Sequence, residues 1–314
     1  MKHLTRTLLS MSLVLSIACD SDGATEANPD ASSVNTQPTP AEKETNTIAD
    51  IAANNADFST LAGALAATGL DEALQGEGPF TVFAPTNAAF DLLPEGLVAS
   101  LSADQLTGIL LYHVAGAELL ASDVIGADSA ETLNGSSVSI AIDGDTVVLD
   151  GRVQVTATDI IADNGVIHVL DAVLIPGAFP GNLVEALSSY PRFSGLVGAV
   201  AAAGLVEALQ SDNEGAGFTV FAPTNNAFAG IEVPADIDVL ASVLLYHVLG
   251  FTANAETAIE VASSENPQAE TLQGGIISFD LVDGLNINGD TNVTYTDIEA
   301  SNGVIHVIDS VLLP

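Results

Sequence analysis

The sequence predicts two α+β domains in tandem, because it repeats itself at the length of a domain and because helical patterns precede strand patterns in each repeat. FTVFAPTNAAF at residues 80–90 returns as FTVFAPTNNAF at 218–228, and NGVIHVLDAVLIP at 164–176 returns as NGVIHVIDSVLLP at 302–314. The repeats lie 138 residues apart, far more than the ~20–50 residues of a solenoid unit. We therefore expect a duplication in which each copy builds its own core.

Length and composition agree with two domains. The chain has 314 residues, about twice the usual domain length of ~150 residues. Hydrophobic residues make up 48% of it, which is enough apolar material for two cores. Because tryptophan is absent, these cores must be filled mainly by Leu, Val, Ile, Ala and Phe.

The charge balance is strongly acidic, with 5 Lys and Arg against 41 Asp and Glu and a formal net charge of -36. Nucleic-acid binding depends on Lys and Arg at the phosphates, so we expect no nucleic-acid partner. Two interpretations of the acids remain: a solvated surface suited to salty water, or the capture of divalent cations. Asp143-Gly-Asp145 favours the second, yet the chain has no complete D-x-D-x-D-G loop with a trailing Glu.

The first residues have the pattern of an export signal. Lys2 and Arg6 precede an apolar run, Leu8–Ala18, of 11 residues. A membrane-spanning helix needs ~20 apolar residues, so this run is too short to span a bilayer and suits the core of a signal peptide. We therefore expect residues 1–18 to be a signal peptide and the protein to be exported.

Cys19 is the only cysteine, so it cannot form an internal disulfide. It resembles the lipidated cysteine of the bacterial lipobox, although Ser16 stands where that motif usually has Leu. The resemblance implies a protein of the cell envelope, periplasmic or at the cell surface, that meets a membrane only through a lipid on Cys19. Ordinary cleavage that leaves a free thiol is the alternative. Residues 19–44 are polar, which predicts a disordered tether.

Helical signals come first in each copy. Thr47 and Asp50 form a capping-box pattern that predicts the start of a first helix. Asp57 is expected to cap a second helix, which ends at Gly69. Residues 80–84 then predict a short apolar strand.

A later helix carries a histidine, and strands follow it. His113 follows Leu106 and Ile109 at helical spacing, which predicts that it lies on the buried stripe of a helix. The segments after it alternate apolar and polar residues between turn dipeptides, which predicts hairpins. The predicted strands of the first copy are residues 138–142, 146–149, 153–158 and 166–170. Helices before strands indicate an α+β fold rather than an alternating parallel sheet.

Three motifs, in this order and spacing in both copies, resemble the fasciclin domain family: FTVFAPTN, a Tyr-His pair and the final NGVIHV strand. The resemblance covers residues 45–176 and 180–314, which we take as domains 1 and 2. It implies two tandem domains, each a β-sandwich-like wedge of about seven strands with several helices packed along it. Members of this family are extracellular or surface-anchored, are associated with adhesion and matrix contact, and are generally not enzymes.

The repeated motif residues are expected to be structural. Each copy has two histidines, too few for a closed zinc site, and a buried neutral histidine needs partners for both ring nitrogens. We expect no metal, no cofactor and no catalytic residue, and we interpret Asn87 and Asn225 as helix caps. The structural motif residues are Thr86, Asn87, Tyr112, His113, His168, Asp171, Thr224, Asn225, Tyr246, His247, His306 and Asp309.

The resemblance also implies a contact surface. In animal members, integrin contact has been assigned to an Asp-Ile pair before the last strand and to the Tyr-His region. The matching pairs are Asp159-Ile160 and Asp297-Ile298. Because the flanking residues differ from the animal pattern, we carry over a contact surface only. In the alternative interpretation, the Tyr and His pack in the core and the Asp caps a turn.

The favoured function is therefore adhesion or matrix contact, with a cell-surface or matrix protein or a polysaccharide as partner. One alternative is a carbohydrate-binding or small-ligand-binding lipoprotein. The other is a hydrolase that uses His and Asp residues, although the chain has no G-x-S-x-G or H-E-x-x-H motif. A deep pocket lined by His168 and Asp171 would favour the hydrolase, whereas closed cores with flat outer faces would favour adhesion.

Overall fold

The computed structural model of this protein describes residues 46–232, 234–282 and 284–314. The signal peptide, Cys19 and the tether expected at residues 1–44 lie outside this part. Among the described residues, no single helix has the length and apolar character to cross a membrane, while one pair of helices bent by 117° passes the same test jointly.

Local capping signals begin several helices of the first copy. Thr47 and Asp50 form a complete capping box, as the sequence predicted, and Ser102 and Gln105 form another at the helix that leads to His113. The helices of this copy are α1 (Ile48–Asn54), α2 (Ser59–Thr68), α3 (Leu70–Leu74), α4 (Asn87–Asp91), α5 (Leu97–Ser100), α6 (Ala103–Tyr112) and α7 (Ala121–Ile125), with a 3-10 turn at Ala56–Phe58.

The second copy begins in the same way, with helices that lead into its first strand. Its helices are α8 (Leu183–Ser188), α9 (Ser194–Ala202), α10 (Val206–Gln210), α11 (Asn225–Ala229), α12 (Ile237–Tyr246) and α13 (Ala255–Ala262), with 3-10 turns at Pro191–Phe193 and Asn213–Gly215.

Within the described residues, each copy has seven strands. The first copy has β1 (Phe80–Pro85), β2 (Val114–Ala115), β3 (Ser129–Glu131), β4 (Ser137–Asp143), β5 (Thr146–Leu149), β6 (Val153–Ala162) and β7 (Gly165–Leu170). The second has β8 (Phe218–Pro223), β9 (Val248–Leu249), β10 (Gln268–Glu270), β11 (Ile276–Asp280), β12 (Asn286–Ile287), β13 (Thr291–Ala300) and β14 (Gly303–Ile308).

Each set of seven strands forms one mixed sheet, which confirms the α+β class. The strand order is β2-β1-β7-β6-β5-β4-β3 in the first copy and β10-β11-β12-β13-β14-β8-β9 in the second. β1 runs parallel to β7, with Phe83 opposite His168. A bridge between Ala115 and Thr132 joins the two edge strands of the first sheet. The FTVF and NGVIHV motifs thus lie side by side in a sheet that curls until its edges meet.

The strand before the last one carries a bulge in each copy, at the predicted Asp-Ile pair. The register of β6 against β7 shifts between Ala157 and Ile160, and Asp159 has a φ of 58°. Asp297 in β13 has a φ of 61°. Positive φ is uncommon outside glycine. These residues therefore lie within a bulged strand rather than in the turn that the alternative interpretation expected.

The cap of the second helical segment also differs from the prediction. Asn55 accepts the hydrogen bond from the main-chain N–H of Asp57 at the 3-10 turn that precedes α2. Asp57 itself is exposed. The turn begins two residues earlier than expected, because Asn55 has the extended backbone that a capping residue needs, with φ -97° and ψ 121°.

The hydrophobic core is continuous between the two copies. One cluster of buried side chains includes Phe83 and Leu149 of the first copy with Phe193 and Phe218 of the second, and each copy also has a smaller cluster of its own. Residues 45–314 form one compact unit. The expectation of separate cores is therefore wrong in part, because the segment that links the copies contributes buried apolar side chains such as Phe179.

Candidate functional site

The first histidine of each copy is buried at the end of a helix. His113 follows α6 directly and is 2% exposed. Its Nδ1 donates to the carbonyl of Ile109 at 2.8 Å, and its Nε2 accepts from the N–H of Leu174 at 3.0 Å. His247 makes the equivalent pair of bonds at 2.8 and 2.9 Å. Burial lowers the pKa of both rings from 6.5 to about 4, so both are neutral at pH 7.

The second histidine belongs to a network that fixes the loop after β2. His168 donates through Nε2 to the carbonyl of Leu119 at 2.7 Å and accepts through Nδ1 from the N–H of Asp159 at 3.4 Å. The fully buried hydroxyl of Thr81 holds the same loop. It accepts from the N–H of Leu119 at 2.8 Å and donates to the carbonyl of Ala117 at 2.7 Å.

The second copy contains the same network. His306 donates to the carbonyl of Ala253 at 2.8 Å and accepts from the N–H of Asp297 at 3.3 Å. Thr219 accepts from the N–H of Ala253 at 2.8 Å and donates to the carbonyl of Phe251 at 2.7 Å. Burial lowers the pKa of His306 as well. Three motifs that are far apart in the chain therefore meet at one place in each copy.

Sequence reasoning did not single out Thr81 and Thr219. The available signal was a threonine at the same position of an otherwise apolar strand in both copies. A buried hydroxyl needs a hydrogen-bond partner, so a repeated threonine in a fully buried strand predicts a specific contact.

The carboxylates of the Asp-Ile pairs are exposed, and each also caps a helix. Asp159 accepts through Oδ1 from the N–H of Ala121, the first residue of α7, at 2.8 Å. Asp297 accepts from the N–H of Ala255, the first residue of α13, at 2.7 Å. The bulge thus holds an exposed carboxylate in a fixed position beside a helix start in each copy.

The two isoleucines of these pairs differ from each other. Ile160 is half-buried. Ile298 is only 1% exposed, because it packs in the core cluster that continues between the copies. Ile298 therefore cannot belong to a contact surface, and the expectation that it does is wrong.

The two motif tyrosines have different partners. The hydroxyl of Tyr112 donates to the Asp150 carboxylate at 2.8 Å, and burial, helped by that carboxylate, raises its pKa. The hydroxyl of Tyr246 donates to the carbonyl of Ile276 at 2.9 Å and accepts from the amide of Asn288 at 3.2 Å. Asn288 takes the place of Asp150 in the second copy.

The APTN segment caps two helices at once. Thr86 accepts from the N–H of Ala89 and so caps α4. Asn87, which we interpreted as a helix cap, accepts from the N–H of Thr60 at 2.9 Å, near the start of α2. Thr224 and Asn225 repeat both roles, the latter with the N–H of Gly195 at 2.9 Å.

The aspartate after each last strand holds the neighbouring strand. Asp171 accepts from the N–H of Gln154 at 2.8 Å, and Asp309 accepts from the N–H of Asn292 at 3.0 Å. Burial raises the pKa of Asp171 to about 6. Asp171 and His168 are engaged with different backbone groups and are not hydrogen-bonded to each other.

Two buried arginines hold the copies together, and sequence reasoning missed them. Arg152, 4% exposed, donates to the carbonyl of Ile175 at 2.7 Å and lies 3.8 Å from the Asp150 carboxylate. Its guanidinium carbon is 5.5 Å from the centre of the Tyr190 ring. Arg192, 5% exposed, donates to the Asp143 carboxylate at 2.7 Å.

The backbone of the first copy approaches the second copy closely at the same junction. Gly151 has a φ of 62°, and a Cβ built there would lie 2.3 Å from the Cβ of Tyr295. Only glycine fits this position. The amide of Asn226 also donates to the Asp143 carboxylate, at 3.0 Å.

Arg152 and Arg192 are the only Lys or Arg residues within the described ranges. Both are buried, so every exposed ionic side chain on this part of the molecule is an Asp or a Glu. The scarcity of Lys and Arg in the sequence was the signal that could have identified the junction. In a chain with 5 basic residues, an arginine inside a domain marks a place where a carboxylate or an aromatic ring needs it.

An open cleft with a volume of about 570 Å³ lies in the second copy. Its lining is mostly polar, and includes Asp212, Thr252, Asn254, Glu299 and Ser301. No three His, Cys, Asp or Glu side chains in the described part of the chain are grouped so that they could hold a metal ion. The cleft therefore offers carboxylates, hydroxyls and an amide to a hydroxyl-rich or cationic ligand.

Comparison with known proteins identifies similar sequences and structures. The family model described as Fasciclin domain matches residues 56–176 and 191–314. Human periostin is 35% identical over 195 residues, which are 62% of this chain and 23% of periostin. The protein sll1483 of Synechocystis sp. is 44% identical over 134 residues, which are 41% of this chain and 73% of that protein.

Among solved structures, the chain is similar to a FAS1 domain pair from the insect cell adhesion molecule Fasciclin I. The similarity covers 82% of this chain and 97% of that chain, with 19% identity and a TM-score of 0.46. The present chain matches about a quarter of the length of periostin and about three quarters of the length of sll1483.

Proposed function

This chain belongs to the fasciclin domain family, and from that membership we propose that it is an exported, non-enzymatic protein that mediates adhesion or matrix contact at the cell surface. One observation carries the non-enzymatic part. All four histidines of the described residues are at most 2% exposed, and both ring nitrogens of each are engaged with backbone groups. The association of the family with adhesion supports the rest.

A hydrolase would need one of these groups free to reach its substrate. A general base must come within ~2.6–3.2 Å of the proton that it removes. The rings of His113 and His168 already hold backbone N–H and carbonyl groups, and Asp171 holds the N–H of Gln154. The geometry therefore argues against hydrolysis by these groups.

We further propose that a lipid on Cys19 anchors the protein. Replacing Cys19 with Ser should release it from membranes, because acyl chains supply the binding at ~0.8 kcal/mol per buried methylene. Membrane fractionation and mass spectrometry of the wild type and the variant measure this. A wild-type protein that is soluble and carries no lipid would contradict the proposal.

The contact surface includes the exposed carboxylates of Asp159 and Asp297. Because the exposed ionic groups around them are all acidic, the partner is a neutral or basic face of a protein or polysaccharide. A cell-retention assay tests this proposal. Cells that carry the chain and cells that lack it are compared on surfaces coated with matrix protein or polysaccharide. Equal retention by both kinds of cell would overturn the adhesion proposal.

A matched pair of variants then locates the contact. Replacing Asp159 and Asp297 with Asn removes the charge but keeps an acceptor for the helix cap, and Asn tolerates positive φ. Replacing the exposed Asp128 with Asn and Glu265 with Gln makes the same change in net charge elsewhere. We expect the first pair to lower retention and the second pair to leave it unchanged.

A second candidate function is carbohydrate or small-ligand binding, which the polar cleft of the second copy favours. Glu299 and Asp212 at this cleft could accept hydrogen bonds from sugar hydroxyls. Calorimetric titration with neutral oligosaccharides, for the wild type and for Glu299→Gln, tests this. Two results together would make ligand binding the leading function. The wild type would bind the oligosaccharide saturably and Glu299→Gln more weakly, and the chain would fail to retain cells.

A further inference from the structure

The junction between the copies joins two different faces of the same fold. The first copy contributes its tail face, which we define as the β5–β6 turn with Gly151 and Arg152. The second copy contributes its head face, defined as the 3-10 turn before α9 with Tyr190 and Arg192. The Arg152 guanidinium over the Tyr190 ring joins this tail to this head. In addition, Gly151 meets Tyr295 and Arg192 pairs with Asp143, each a residue of the other copy outside the two faces. Each copy therefore has one face in the junction and one equivalent face at a free end.

At both free ends, an aspartate replaces the arginine of the junction. Asp57 is the middle residue of the 3-10 turn Ala56–Phe58, as Arg192 is of Pro191–Phe193. Asp290 follows Asn288-Gly289, as Arg152 follows Asp150-Gly151. The backbone conformation is similar in these two turns, since Asp150, Gly151, Asn288 and Gly289 all have positive φ.

The two free faces are exposed to solvent at the positions that are packed against the other copy in the junction. Asp57 and Asp290 are both exposed. A Cβ at Gly289 would have no atom within 4 Å, whereas at Gly151 it would collide with Tyr295. Asn55 stands in the place of Tyr190, on which Arg152 stacks.

A head-to-tail contact does not close on itself, so the same contact could add a second molecule at either end. In such a contact Asp57 and Asp290 would be buried at the positions where the junction has cations. Burial of a carboxylate without a cation or hydrogen-bond donors is strongly unfavourable. We propose that Asp57 and Asp290 prevent the free ends from binding a second copy of this chain, so that the protein remains a single two-copy unit. This goes beyond the proposed function, which concerns other partners.

Sedimentation of the exported chain over a range of concentrations tests the proposal. The wild type should have the mass of one chain. In the variant Asp57→Arg/Asp290→Arg, the weight-average mass should rise by more than about twofold as concentration increases, because growth can continue at both ends. Thermal unfolding checks that the variant is folded, as expected for two exposed positions.

The matched control is Asp128→Arg/Glu265→Arg, which makes the same change in net charge at exposed positions outside both faces. It should stay a single chain. A wild type that already associates, a double variant that stays a single chain at every concentration, or a control that associates to the same extent would each overturn the proposal. Association that stops at a closed dimer would contradict the head-to-tail geometry.

Discussion

At the scale of single residues, two histidine tautomers recur in each copy. His113 and His247 donate through Nδ1 and accept through Nε2, whereas His168 and His306 donate through Nε2 and accept through Nδ1. Each ring therefore accepts one main-chain N–H. Protonation of His113, His247 or His306 would turn the accepting nitrogen into a second donor and break that bond, so these three sites favour neutral imidazole.

Replacing His113 with Ala should destabilise the protein by roughly 2–4 kcal/mol. The variant leaves a cavity and removes the partners of the Ile109 carbonyl and the Leu174 N–H. Urea unfolding measures the change. Asp104→Ala, at an exposed position of the same helix, is the control and should cost below ~1 kcal/mol. A His113 variant that is as stable as the wild type but loses a hydrolytic activity would favour the enzyme interpretation instead.

Stability should fall as the pH drops from 6.5 towards 4. The folded-state pKa of His113 and of His247 is about 4, below the ordinary value of 6.5. The unfolded chain therefore binds more protons in this range, and each histidine removes about 1.4 kcal/mol of unfolding free energy per pH unit. Urea unfolding at several pH values in high salt measures the slope.

Asp171 acts in the opposite direction but does not cancel this effect. Its pKa is raised to about 6, so its folded form binds the extra proton between its ordinary pKa of 3.8 and 6 and gains stability as the pH falls. Two histidines outweigh one aspartate, and the lowered pKa of His306 adds to them. In a His113→Asn control the slope should become smaller, and an unchanged slope would show that His113 does not cause it.

At the scale of elements, the turn between β5 and β6 joins the copies and has a free equivalent between β12 and β13. Gly151 and Gly289 share a positive φ, of 62° and 79°. They differ in their surroundings, since a Cβ at Gly151 would meet Tyr295 and one at Gly289 would meet nothing within 4 Å. Comparing substitutions at these two glycines therefore separates the energetic cost of the positive φ from that of the contact at the junction.

Replacing Gly289 with Ala should cost about 1–2 kcal/mol, from the positive φ alone. Replacing Gly151 with Ala should cost about 1–3 kcal/mol more, because the added methyl group overlaps Tyr295 and must push the copies apart. Thermal and urea unfolding of both variants measure the difference. Equal losses would mean that the close approach at Gly151 does not contribute to stability.

The bulge in each copy makes contacts on both sides of its strand. Asp159 and Asp297 adopt positive φ, which lets the main-chain N–H meet a buried histidine while the carboxylate caps a helix on the outside. A regular strand would place successive groups on alternating faces at a fixed spacing. The extra residue of a bulge changes that aim, which accounts for the recurrence of the same aspartate in both copies.

At the scale of the whole molecule, the Asp and Glu residues of the described part, except Asp150, are not buried, whereas its two arginines are. The exposed surface of this part therefore carries no cation to offset the carboxylates. With a net charge of -36 for the chain, self-repulsion opposes the compact state and is screened by salt. The continuous core and the junction hold the two copies together against this repulsion.

The melting temperature should therefore rise as NaCl increases from near zero to molar levels. Differential scanning calorimetry at fixed pH measures the effect, and we expect one main transition because the core continues between the copies. A sugar osmolyte at matched water activity, which does not screen charge, is the control. A flat or falling curve would indicate that the acids are already neutralised by pairing or by bound cations.

The sequence alone determined the duplication, the α+β class, the first two helices, the helix that leads to His113 and the hairpins after it. These features depend on local patterns, such as the capping box at Thr47 and the turn dipeptides between strands, and a local pattern needs no knowledge of the rest of the chain. The two-residue strands β2 and β9 were not predicted, because so short a segment has no periodicity of its own.

Only the tertiary structure decided which of these patterns meet. Arg192 pairs with Asp143, Thr81 with the loop at Leu119, and Ile298 enters the shared core although the equivalent Ile160 does not. Such contacts join positions that are distant in the chain, so no local period reveals them. They follow from the docking of one copy on the other, where shape and burial, rather than sequence pattern, select the partners.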